Sequence, residues 1–395
     1  VSSTSPLLSL HRDGNALLSP YGPSTGPAPE ILLVEAFDPV EIEYASIRTH
    51  AAVFDMPHRA TIAVSGPDAL PFLNRMLTQE LKGLPHFETR PAFWLNRKGR
   101  IDADLRLLHL PDRILLDVDV HAAERARAGL DSFIVADDCQ ITDETGRWHR
   151  ISLHGPASAS ILAKRSKQID GAPTADIKPR QISRVIIAGV EVIVDRQDLT
   201  GEIGLNILIP AEGAEAVYEA ISEKWPEPGA TPRAIQPAGK LARRIGWHAL
   251  NIARIEAGSA MYLVDFGPDS LPHETGAETL ADRVSFKKGC YLGQEVVARM
   301  QALGHPKQRL VGLRIEAPEG AQAVTGTRLL AADEAAAPEV GAVTSSCMSP
   351  MLGQAHIAFA MAKWSHAQEG SKVWAAIDER RVSATARESL IFWKR

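Results

Sequence analysis

The residues best suited to chemistry lie in Lys288-Gly289-Cys290-Tyr291-Leu292-Gly293-Gln294-Glu295, with Arg299 a few positions further on. Cys290 is one of three cysteines in 395 residues, and two lysines precede it. Cationic neighbours favour the thiolate over the thiol. A helix beginning near Gly293 would add the partial positive charge of its first N–H groups. Gly289 and Gly293 let the backbone turn sharply and come close to a ligand. The segment therefore reads as a functional thiol. The competing reading is a small, buried, inert cysteine.

Three other stretches carry charge at positions worth following. Asn96-Arg97-Lys98-Gly99-Arg100 reads as a turn running into a strand that starts at Ile101. Alternation then puts Ile101, Ala103, Leu105 and Leu107 on one face and Asp102, Asp104 and Arg106 on the other, which reads as water-facing. Leu199-Thr200-Gly201-Glu202 reads as a turn after the apolar run Val192-Ile193-Val194. In Arg254-Ile255-Glu256-Ala257-Gly258, the arginine suits either an anionic ligand or a stabilising pair with Glu256.

These stretches carry a family resemblance. K-G-C-Y-L-G-Q-E resembles the K-G-C-[FY]-x-G-Q-E signature of the YgfZ family. These are folate-binding proteins related to the glycine-cleavage T-protein (aminomethyltransferase) and tied to the upkeep of iron–sulfur enzymes. Asn96 to Leu105 is similar to the family's N-x-x-G-x-x-x-D-L turn, and Thr200-Gly201-Glu202 to its T-G-E-x-G-[YF]-E segment. Arg254 to Gly258 is similar to R-[IL]-E-A-G, and Gly341 to Ser345 with Ser349-Pro350 to a G-x-V-T-S…S-P strand. The resemblance covers about residues 30 to 395.

The resemblance implies an α+β fold: two interleaved ferredoxin-like domains followed by a C-terminal β-barrel, around a central folate channel. Tetrahydrofolate, or a one-carbon derivative of it, is the implied cofactor. Asp104 would face its reactive end and Glu202 would bind the pterin N–H groups. Arg254, Lys288 and Arg299 would hold the anionic tail, with Cys290 beside the folate as a nucleophile or transient ligand. Iron–sulfur client proteins are the implied partners. Departures at four positions separate the chain from T-proteins, which usually carry an acid where Cys290 stands, a second acid at Ala103, and an aromatic and an acid at Leu205 and Asn206. They favour the YgfZ branch over the alternative, an aminomethyltransferase or other one-carbon transferase.

The rest of the chain must position these groups. At this length two or three domains are expected. The boundaries read as a weakly packed leader over 1–30, an α+β region over 31–303 and a barrel over 304–395. No apolar run is long enough to span a membrane. Cys139, Cys290 and Cys347 form no C-x-x-C, no Cys/His cluster suggests a metal site, and a cytoplasmic location is expected. The net charge is −5, yet residues 283–314 hold seven cations against Glu295 alone. That segment reads as a solvated face, a site for an anionic tail, or a tRNA contact.

An internal echo is visible. Ile62-Ala63-Val64-Ser65-Gly66-Pro67 and Ile151-Ser152-Leu153-His154-Gly155-Pro156 each read as a strand, a Gly-Pro break and a helix. Leu70, Leu73, Leu77 and Leu81 give the first helix one buried stripe. A hairpin is expected over 184–194 and an amphipathic helix over Ala214–Trp225, followed by a proline-rich connection to Pro237. Strands are expected over 310–315, 341–344, 354–361, 372–376 and 382–386.

Overall fold

The computed structural model describes residues 4–22, 31–223, 241–318, 321–334 and 336–394. The expected Trp225 end of one helix and the proline-rich connection after it lie outside these residues. The chain divides into two compact units: residues 1–70, 83–90 and 105–253, and residues 71–82, 91–104 and 254–395.

The first unit is built on the echoed strand–glycine–helix motif. Strand Arg59–Ser65 ends at Gly66, and strand Trp148–His154 ends at Gly155. Both glycines have positive φ, 111° and 123°. A Cβ at Gly66 would lie 2.3 Å from the Asp138 carbonyl oxygen, and one at Gly155 would lie 2.6 Å from that of His50. Only glycine meets both demands. Strand Ala52–Asp55, from the first half of the unit, pairs antiparallel with Trp148–His154 in the second, so the halves interleave within one seven-stranded sheet. The expected hairpin is Ile182–Ile187 with Val190–Arg196. Its two turn residues, Ala188 and Gly189, both have positive φ, as a tight hairpin requires. Helix Ala214–Ile221 buries Val217, Tyr218 and Ile221 against Ile151, Leu153, Val185, Val194 and Ile207.

Strands Arg59–Ser65, Ile101–His109 and Ile114–Asp119 belong to a five-stranded sheet. On the side of Ile101–His109 expected to be wet, Asp102 and Asp104 are half-buried, while Arg106 is closed off and only 6% exposed. Its guanidinium contacts Asp117 at 3.2 Å and Asp195 at 2.6 Å, and donates to the Gln197 Oε1 at 2.8 Å. Arg59 donates to Asp117 at 2.9 Å, and buried Arg150 lies 3.4 Å from Asp117 and 3.7 Å from Asp195. Burial opposes the Asp117 charge, but Arg150, Arg59 and Arg106 hold its carboxyl well below the usual carboxylate range.

Over its described residues, 4–22, the leader departs from the expected weak packing. Residues Leu8–Asp13 form a helix, and Leu17–Tyr21 pairs with strand Ile31–Ala36. Asp55, far along the chain, explains the order. Its carboxylate accepts from Ser5 at 2.7 Å and lies 2.8 Å from the His11 Nε2 and 2.6 Å from the His149 Nε2, while Leu7 is fully buried.

In the second unit six strands close a barrel in the order Gln308–Ile315, Ala355–Lys363, Glu339–Ser349, Arg328–Leu330, Lys372–Ile377 and Arg380–Arg387. Val311, Leu313, Val343, Ala358, Ala360, Val373, Ala375, Ala384 and Ala386 fill it. Alanine recurs because a barrel of so few strands leaves little interior space. Arg328–Leu330, three residues long, is the strand that sequence patterning misses. No helix among the described residues is long and apolar enough to cross a membrane.

Asp55 yields a prediction. Burial disfavours its charge, but His149 and His11 more than compensate and hold the carboxyl well below its ordinary range. Because the folded value is depressed, the stabilisation is complete at neutral pH. It is lost as the solution is acidified below the unfolded carboxyl value of about 3.9. Asp55→Asn leaves a buried polar cluster without its charge and is expected to cost about 3 kcal/mol. Urea unfolding at pH 7 checks this, and an unchanged midpoint contradicts it.

Candidate functional site

The thiol segment is held from both sides. Lys288, which precedes it, is buried, and its ammonium donates to the carbonyls of Asn74 and Leu77 at 2.6 Å each and of Gln79 at 3.0 Å. Asn74 lies in the last turn of helix Ala69–Met76 and Leu77 and Gln79 follow it, so the lysine caps the end of that helix. Burial lowers the Lys288 pKa to about 8, against a smaller opposing pull from Glu80. All three ammonium donors are committed. The expectation that Lys288 holds a folate tail is therefore replaced by a structural role. On the other side Tyr291 is buried, with the Lys288 ammonium 5.2 Å from its ring centre. Cys290 is left exposed between these anchors, whereas Cys139 and Cys347 are buried. Burial pushes the Cys347 thiol up, the behaviour of an inert cysteine.

The expected helix begins at Gln294, and Gly293 precedes it in the left-handed conformation with φ 78°. A Cβ at Gly293 would stand 2.6 Å from the Asn96 carbonyl oxygen and 3.3 Å from the Gly99 Cα. A Cβ at Gly99, itself at φ 71°, would stand 2.7 Å from the Val296 Cβ. Two motifs almost two hundred residues apart are thus pressed together at a pair of glycines. Gly289 has no such constraint: a Cβ there meets nothing within 4 Å. Arg299 is exposed on helix Gln294–Leu303.

The turn is tied internally. The Asn96 N–H donates to the Arg100 carbonyl at 3.0 Å, and the Asn96 amide donates to Asp102 at 3.0 Å. Asp104 is clamped by Arg283, whose Nε donates to one carboxylate oxygen at 2.8 Å. Both side chains are about 15% exposed, so the pair is sheltered without being sealed. One oxygen of Asp104 is thereby fixed, and the other is available to accept N–H donors from a ligand. Ala103 is wholly buried with Ile101 on the opposite face. A second acid there would be a buried charge.

Arg254 is fully buried. It donates to Asp265 at 2.7 Å, to the Ser345 hydroxyl at 2.6 Å and to the Ser259 carbonyl at 3.1 Å. The expectation that it binds a folate carboxylate gives way to a role inside the fold, with Asp265 as partner. Glu202 belongs to the first unit. It is 4% exposed and lies 4.0 Å from Arg48, which also donates to the Thr200 carbonyl at 2.6 Å. Asn206 donates to Asp195 and Gln197 at 3.3 Å each. A carboxylate at 206 could not donate, and it would add another negative charge beside Asp195.

Sequence reading missed Arg283 and Arg48, the cations that hold the two carboxylates. Arg283 was visible only as one member of a basic run. Three of that run's seven cations are taken up within the fold: Arg283, Lys288 and Arg309, the last 3.1 Å from Glu388. No group of three or more metal-ligating side chains occurs among the described residues.

Interleaved α+β modules and a closed six-stranded barrel, bearing these motifs, define a protein of the aminomethyltransferase fold. The chain matches the GCVT N-terminal domain over residues 21–287 and the glycine cleavage T-protein C-terminal barrel domain over residues 308–393. It belongs to the glycine cleavage T-protein family. A probable aminomethyltransferase of Halobacterium salinarum is 28% identical over 381 residues, covering 94% of this chain and 93% of that protein. An aminomethyltransferase of Halalkalibacterium halodurans is 25% identical over 350 residues, covering 88% of each. The crystal structure of the glycine cleavage system aminomethyltransferase T from Bartonella henselae shares the fold. It superposes with a TM-score of 0.80 at 22% identity, covering 99% of this chain and 98% of that one.

The glycine contact yields a contrast. Gly293→Ala places a side chain where φ and space both oppose it, at a cost of about 1–3 kcal/mol. Gly289→Ala is expected to change stability by less than about 0.5 kcal/mol. Thermal denaturation of the two variants side by side measures the difference. Equal losses contradict the interlock.

Proposed function

We propose that this chain binds a reduced folate of the tetrahydrofolate class and acts as a one-carbon transferase of the aminomethyltransferase type. The observation that carries this reading is the match to both the N-terminal and the C-terminal barrel domain models of the family in a single chain, with relatives so named aligned over about nine tenths of both sequences. Asp104 and Glu202 support it as well. Each is a sheltered carboxylate steadied by an arginine, a form that suits the N–H donors of a pterin. Bound tetrahydrofolate supplies the nitrogen that accepts the one-carbon unit. Glu202, in the first unit, is proposed as an acceptor for pterin N–H groups, and Asp104, in the second, is proposed separately as an acceptor through the carboxylate oxygen that Arg283 leaves available. Arg299, exposed on its helix, remains as a contact for the anionic tail.

A second reading has its own support. Cys290 stands exposed within an intact K-G-C-Y-L-G-Q-E, and Ala103 and Asn206 replace acids usual in T-proteins. These features favour the YgfZ branch, in which the thiol, beside a bound folate, serves the assembly or repair of iron–sulfur client proteins. A tRNA-binding role for the basic segment has no comparable support.

One pair of measurements separates the readings. Tetrahydrofolate-dependent release of ammonia from an aminomethyl-loaded lipoyl carrier is expected under the transferase reading and is expected to fall by at least about tenfold in Asp104→Asn. Absence of turnover, together with loss of iron–sulfur enzyme activity in cells carrying Cys290→Ala, overturns that reading in favour of the second.

A further inference from the structure

A cavity of about 270 Å³ opens in the first unit beside the charged layer, its lining residues Leu115, Ile193 and Trp148 sharing strands with Asp117, Asp195 and Arg150. Its floor is Leu110, Leu115, Ile193 and Pro210. Three of these continue the apolar layer packed between the sheets, which also holds Ala63, Leu108, Ile182 and Leu208. Trp148 forms one wall and is fixed in place, its indole N–H donating to Glu144 at 2.7 Å.

The rim carries both signs of charge. Arg113, Arg147 and Arg184 line it together with Asp112 and Glu191. The arginines are held but not saturated. Arg113 donates through Nε to Asp112 at 2.8 Å and through Nη1 to Glu144 at 3.2 Å, and Arg147 reaches Glu144 through Nη1 alone at 3.4 Å. Arg184 gives Nε and Nη2 to Asp170, while its Nη1 stands 3.8 Å from Glu191, beyond hydrogen-bond reach. Each guanidinium therefore keeps at least one donor, and Glu191 keeps acceptor capacity.

A bare anion would meet Asp112 and Glu191, and a bare cation would meet the three arginines. A ligand carrying both charges meets neither objection. Its body must be apolar to replace water on the floor, and small, because the space is just below that of pockets for drug-sized molecules, about 300–1,000 Å³. From this we infer that the cavity is a binding site for a small apolar α-amino acid. The ligand carboxylate sits on the arginine donors, its ammonium on Glu191, and its side chain on Leu110, Leu115 and Ile193, while the Arg147 guanidinium lies over the Trp148 ring, 5.3 Å from its centre. The site is separate from the proposed folate chemistry, and nothing in the reaction requires it to be filled.

Calorimetric titration of the full chain tests this with L-phenylalanine, 3-phenylpropionate and 2-phenylethylamine, which share a body and differ in charge. Saturable binding of L-phenylalanine is expected, about tenfold or more tighter than either singly charged analogue. Arg184→Gln and Glu191→Gln, both near the surface, are expected to weaken it by a similar factor while circular dichroism stays unchanged. The inference is overturned if no saturable heat appears, if either analogue binds as well as the amino acid, or if both variants bind it like the parent.

Discussion

Gly99 and Gly293 approach so closely that neither position accepts a side chain, and the thiol segment and the turn before Asp104 meet at that contact. The turn from Asn96 to Arg100 leads directly to Asp104, and the helix that starts after Gly293 is led in by Cys290. Pressing one against the other fixes the start of the Asp104 strand relative to the thiol segment. Lys288 and Tyr291 bury on either side of Cys290, so the cysteine reaches solvent because its neighbours cannot. Arg283 completes the arrangement by holding one oxygen of Asp104. Removing any of these contacts loosens a piece of backbone before it removes a reactive group.

In the first unit the constraint is electrostatic. Arg59, Arg106 and Arg150 meet Asp117 and Asp195 between two sheets, where each charge is tolerated only because the others are in place. Such a layer adds little net stability compared with an apolar one, but it penalises any register that separates the partners. The same layer explains why Asn206 fits as an amide, since it donates to Asp195. Further along the interface the packing turns apolar, around Leu108, Leu115 and Ile193, before it opens to solvent.

Local patterns were legible in the sequence. The paired strand–glycine–helix units, the Ala188-Gly189 hairpin, the helix after Gly293 and five of the barrel strands follow from alternation, turn residues and glycine placement. Contacts set by distant residues were not. Asp55 draws the leader into order through His11 and His149, 44 and 94 positions away. Asp104 finds Arg283 across 179 positions. Arg106 looked solvent-facing because alternation reports which residues share a face, not what covers that face. Lys288 and Arg254 were read as ligand contacts because a cation in a motif looks the same whether it points outward or caps carbonyls inside. Family membership was legible at the level of the T-protein fold, and the narrower YgfZ expectation is not supported by the relatives, which are named aminomethyltransferases.

Under the proposed function, the sheltered carboxylates Asp104 and Glu202 are each read as an acceptor for a reduced pterin. Titrating the full chain with tetrahydrofolate under anaerobic conditions, read by tryptophan fluorescence, addresses them directly. Saturable binding is expected in the parent, weakened by about tenfold or more in Glu202→Gln and again in Asp104→Asn. Binding that is absent in the parent, or equally tight in all three proteins, contradicts the assignment.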